Sequence, residues 1–100
     1  MPNERPTHQD AELLSRVQLL MQGAGVPIRD MRIEVGSLRL LRIGFRVGPG
    51  GFVTKSHSGE YSMGGVPVKW NMSLPEHWLV LLQNGVDYGR LLGAVDLRYP

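Results

Sequence analysis

The chain has 100 residues, of which 42% are hydrophobic and 20% charged, with net charge +2 and a pI near 9.4. That composition excludes a disordered or fibrous chain and suits one domain with a modest core. Cysteine is absent, which excludes a disulfide framework, a cysteine nucleophile and a cysteine-held metal, and leaves the compartment open.

Residues 1–6 are rich in proline and charge, with no apolar run behind them, and read as a flexible arm ahead of one domain over 7–100. Thr7 to Gly23 predicts an amphipathic helix. Leu13, Val17, Leu20, Met21 and Ala24 fall on one face at helical spacing, and Glu12, Arg16 and Gln22 on the other. Thr7 is the expected N-cap, with Asp10 three residues on. Gly23, Gly25 and Pro27 stop the helix. Met31, Ile33 and Val35 alternate with Arg32 and Glu34, which predicts a strand over 30–35.

Leu38 to Val47 predicts the longest strand. Its apolar phase slips once, and a bulge near Leu40-Leu41 puts Leu38, Leu40, Leu41, Ile43, Phe45 and Val47 on one face. Arg39, Arg42 and Arg46 then form a basic strip on the other. Gly48-Pro49-Gly50-Gly51 predicts a turn, and Phe52 to His57 the return strand of a hairpin. His57-Ser58-Gly59-Glu60 predicts the next turn. Tyr61 to Trp70 predicts one further strand, bent at Gly64-Gly65, with Pro67 marking an edge or a bulge. Ser73-Leu74-Pro75-Glu76 has the chemistry of a helix start, and Leu74, Trp78, Leu81 and Leu82 its inward face, up to Asn84-Gly85. Asp87 to Gly93 predicts a second short helical turn holding Tyr88, Leu91 and Leu92. A strand with Val95, Leu97 and Tyr99 on one side and Asp96 and Arg98 on the other closes the chain. The sum is an α+β domain: an antiparallel sheet of four to five strands, an N-terminal helix, and one or two C-terminal helices packed on one face.

Little in the chain names a chemistry. His8, His57 and His77 lack the spacing of a metal site, and His57 with Glu60 across a turn is the one local pair. The serines sit in no nucleophile elbow. Neither Gly48-Pro49-Gly50-Gly51 nor Gly64-Gly65 has the pattern of a phosphate loop, and Pro49 removes a donor. Trp70 and Trp78 fall in phase with apolar neighbours and are expected in the core. No enzyme activity, cofactor or metal is expected. The longest apolar run, Trp78 to Leu82, is far short of the roughly 20 residues a membrane span needs. Charge is uneven: between Arg29 and Lys69 lie seven Arg/Lys against Asp30, Glu34 and Glu60. A nucleic-acid or anionic-surface binder using Arg39, Arg42 and Arg46 is therefore the second reading, though only Phe45 interleaves those arginines.

The first reading comes from the closing stretch, Ala94-Val95-Asp96-Leu97-Arg98-Tyr99-Pro100. It resembles the late segment of the extracytoplasmic β domain of the bacterial cell-division family FtsQ/DivIB, where a V-D-L-R-Y strand follows a helix. Leu13 to Pro27 is similar to the helix opening that domain, and Arg29 to Val35 to the strand after it. The family's cytoplasmic tail, transmembrane helix and preceding domain have no counterpart here, and its W-x-(I/V)-x-L strand is not evident between Leu38 and Trp70. The resemblance implies a non-enzymatic divisome scaffold at the periplasmic face of the inner membrane, its targeting segment outside this sequence. Its partner would be FtsB–FtsL-like and would add a strand along the late sheet edge. Asp96, Arg98 and Tyr99 are the partner-binding residues that follow, with Arg98 meeting a carboxylate and Tyr99 acting as an aromatic anchor.

Overall fold

The structure is a computed structural model that describes residues 8–38, 53–85 and 89–96. Helix α1 spans His8–Gly23, and a 3-10 turn covers Ile28–Asp30. Six strands follow: β1 Met31–Val35, β2 Val53–Lys55, β3 Tyr61–Met63, β4 Val66–Trp70, β5 Trp78–Gln83 and β6 Arg90–Asp96. They form one sheet in the order β2-β3-β4-β1-β5-β6. All neighbours are antiparallel except β4 and β1, which run parallel with Ile33 opposite Val68. No helix among the described residues is long and apolar enough to cross a membrane.

The core lies between α1 and one face of the sheet. Leu13, Leu14, Val17 and Met21 come down from the helix. Met31, Ile33 and Val35 of the central strand meet them, with Val66, Val68, Leu79, Leu81 and Val95 to either side. Burying a side chain of this size contributes about 1.5–3 kcal/mol, so this cluster dominates the fold. The predicted α1 stripe is present, with Leu14 added to it, and Glu12 pairs with Arg16 at 3.6 Å on the exposed side. The alternation of β1 is also as expected.

The C-terminal half departs from the expected architecture. Among the described residues the sheet has six strands and is mixed, rather than four or five antiparallel ones, and no helix follows it. The expected helix from Ser73 is instead a turn followed by β5. Asn71 Oδ1 accepts the Ser73 N–H at 2.9 Å, which occupies the predicted cap in a local turn. Along β5, Leu79 and Leu81 are fully buried while Val80 and Leu82 are half-buried, the period of a strand. Both faces of β5 carry apolar side chains, Trp78, Val80 and Leu82 on one and Leu79 and Leu81 on the other, so the run lacks the apolar–polar alternation that marks a strand. The second expected helical turn is corrected as well: Arg90–Asp96 is strand, and Asp87 and Tyr88 lie outside the described residues.

Tyr61 to Trp70 is a hairpin rather than one bent strand. Gly64 and Gly65 both have positive φ (58° and 86°), as the two-residue turn between β3 and β4 requires. Pro67 sits in an interior strand, neither at an edge nor at a bulge. It faces Ser62 of β3, and the ladder to β1 begins only at Val68, so its missing N–H interrupts no pair in that ladder. The return strand is shorter than predicted, Val53–Lys55, and the turn at 57–60 is present, closed by Ser56 N to Glu60 O at 2.8 Å.

Candidate interaction edge

Sheet order leaves β6 at one end, hydrogen-bonded to β5 alone among the described residues. Helix α1 seats directly over it. A Cβ on Gly93 would collide with Leu20 Cδ1, so the absence of a side chain there lets the helix approach the strand. β6 also carries a bulge. Leu81 faces Gly93 but Leu82 faces Leu91, which leaves Leu92 as the extra residue. Leu92 turns into the core, whereas Leu91 is 61% exposed on the opposite face.

The direction of the β6 backbone follows from two bonds elsewhere in the sheet. Asn71 N donates to Val35 O at 2.8 Å, so the polar groups of Val35 face β4; Gly36 N donates to Trp78 O at 3.1 Å, so those of Trp78 face β1. Successive residues of a strand alternate sides. Leu79 and Leu81 therefore face β6, and their partners Val95 and Gly93 face back. Ala94, between them, presents its N–H and C=O outward, and its side chain is exposed. Neither Ala94 nor Leu91 has a hydrogen-bond partner on that side among the described residues. Such an edge is a template for a further strand.

The sheet behind this edge is braced by polar side chains on the face away from α1. Arg32 Nε donates to Glu34 Oε2 at 3.1 Å and Arg32 Nη1 to Asn84 Oδ1 at 2.9 Å. Asn71 Nδ2 donates to Glu34 Oε1 at 2.8 Å, and Asn84 Nδ2 to Met31 O at 3.2 Å. The network links β1 to the turns that end β4 and β5. The Asn71 hydrogen bond, and then the Arg32 guanidinium, hold the Glu34 carboxyl below its ordinary pKa against the opposing effect of burial; Lys69 adds to the lowering. Sequence reading missed this cluster, because Asn71 and Asn84 look like ordinary turn residues.

Of the residues proposed from sequence for partner binding, Asp96 ends β6 opposite Trp78, and Arg98 and Tyr99 lie outside the described residues. Arg39, Arg42 and Arg46 lie outside them too, as do 40–41, 43–45, 47–52 and the turn at 48–51. His57 and Glu60 are both exposed, and no group of three or more metal-ligating residues occurs among the described ones. The tryptophans are less buried than expected. Trp70 is 55% exposed and donates Nε1–H to Gly36 O at 3.2 Å, and Trp78 is half-buried beside the His77 ring. Comparison with protein-family models, curated proteins and solved structures gives no match.

Proposed function

We propose that this domain is a non-enzymatic protein-interaction module that takes up an extended segment of a partner as an added strand along β6. The outward direction of the Ala94 backbone, at an exposed residue of the last strand in the sheet order, is the observation that carries the reading. An unpaired edge supplies main-chain hydrogen bonds for strand addition, and alternate side chains supply selectivity. A bacterial division scaffold with an FtsB–FtsL-like partner is the specific form suggested by the Ala94–Pro100 stretch, and it is supported by that stretch alone.

Ala94→Pro tests the reading. Proline removes the outward N–H, and edge strands tolerate it there because no ladder bond to β5 is lost. Peptides selected against the wild-type domain from a displayed library should lose binding to Ala94→Pro, while far-ultraviolet circular dichroism and the unfolding midpoint stay close to wild type. Undiminished binding by the folded variant would refute strand addition at β6.

A further inference from the structure

Strand addition along β6, the reading just proposed, is the premise for asking what the incoming segment must look like. Arg90 opens β6. Its side chain is exposed and makes no ion pair or hydrogen bond among the described residues. Arg90 faces Gln83, a residue whose backbone points toward β6. Toward an incoming strand, Arg90 therefore occupies a non-hydrogen-bonded position, where opposed Cα atoms approach to about 4.5 Å and side chains stand closest. The far end of the same strand carries Asp96. Between them the exposed side chains on the face away from α1 are apolar, Leu91 and Ala94, beside half-buried Leu82 and Val80.

We infer that the segment bound along β6 runs antiparallel to it and carries a carboxylate at its C-terminal end, set against Arg90. Opposite charges facing across strands stabilise pairing and like charges oppose it. A carboxylate at the Arg90 end gains a charge-assisted contact with a guanidinium. The antiparallel direction brings a C-terminal carboxylate to Arg90 and forms the slightly stronger ladder. Apolar residues opposite Leu91 and Ala94 complete the match, extending the apolar strip of β5. The length required is six residues, because six residues of β5 already span β6 across its bulge.

Two capped, fluorescently labelled peptides of identical composition separate the possibilities. Both alternate valine and threonine; one ends in glutamate, the other begins with it. Fluorescence polarisation at low salt should give about fivefold tighter binding for the peptide ending in glutamate. The preference should disappear in Arg90→Gln, reverse in Arg90→Glu, and shrink in about 1 M salt. Both variants alter an exposed side chain, and circular dichroism verifies their fold. Equal binding of the two peptides, lost in Ala94→Pro, would overturn the role of Arg90 and leave strand addition standing. Preference for the peptide beginning with glutamate would overturn the antiparallel direction. Binding of neither peptide to the wild type would overturn this inference together with the reading it rests on.

Discussion

Gly36 follows β1 and is buried against the connection between β4 and β5. A Cβ built on it would overlap the carbonyl oxygen of Pro75, and would lie 2.6 Å from Pro75 C and 2.9 Å from Leu74 O. Ordinary contact is about 3.5 Å, and all three atoms are backbone, so no rotamer change relieves the overlap. In Gly36→Ala the end of β1 and the turn before β5 must separate by roughly 1 Å. That shift strains two hydrogen bonds, Gly36 N to Trp78 O at 3.1 Å and Trp70 Nε1 to Gly36 O at 3.2 Å. Two such bonds contribute about 2 kcal/mol together, and overpacking adds about 1–3 kcal/mol. The expected loss is about 3–5 kcal/mol, a large part of the roughly 5–15 kcal/mol that holds a domain folded. Urea unfolding followed by tryptophan fluorescence measures it directly, since Trp70 and Trp78 flank the site. Gly23→Ala is the control: nothing lies within 4 Å of its Cβ, it ends α1, and the exchange should be neutral or mildly stabilising. A Gly36→Ala midpoint corresponding to less than about 0.5 kcal/mol of change would refute the contact argument.

Two further predictions concern the bracing network and the seat of the helix. The Glu34 carboxyl has a folded-state pKa below its unfolded value, so it contributes stability that is full above the unfolded pKa and is lost as pH falls through the folded one. The stability difference between wild type and Glu34→Gln should therefore be constant near neutrality and shrink under acid below the ordinary glutamate range; urea midpoints across pH 3 to pH 7 (about half-unit steps suffice) reveal it, and a difference that grows on acidification contradicts the assignment. Gly93→Ala meets only the tip of Leu20, a flexible group, so it should cost about 1–2 kcal/mol. Leu20→Ala removes that tip, and the double variant should be more stable than the two separate losses add up to; strict additivity would show that the two residues do not touch.

Legibility in the sequence followed the packing environment of each element. β1 has apolar residues toward α1 and charged ones toward the other side, so Met31 to Val35 displayed its period openly. β5 carries apolar side chains on both faces, and its Trp-Leu-Val-Leu-Leu run suits a helix as well as a strand. β6 misled for a different reason. The bulge at Leu92 inserts one residue and breaks the strand alternation, so Tyr88, Leu91 and Leu92 have the spacing of a helical turn in the sequence. Gly64-Gly65 carried a legible hairpin signal whose meaning was read too weakly as a bend. The parallel pairing of β1 with β4 had no local signature, because the two strands meet only through tertiary packing. The closing amphipathic strand expected around Val95 to Tyr99 overlaps only the end of β6, because residues 97–100 lie outside the described residues; the place of β6 at one end of the sheet comes from the sheet order alone.

The central place of β1 also sets an order of events during folding. β1 is the first strand to be synthesised, yet both of its neighbours, β4 and β5, come much later in the chain. β2, β3 and β4 are joined by short turns and form a meander from local contacts, whereas enclosing β1 requires closure of a long loop. The nascent chain therefore carries Met31, Ile33 and Val35 on a strand with two open sides until the last third of the domain exists. Substitutions in β1 should chiefly accelerate unfolding, and those in the β3–β4 turn should slow folding. During synthesis, α1 is the one neighbouring element among the described residues that is available to shield β1, which gives the helix a protective task before the sheet is complete.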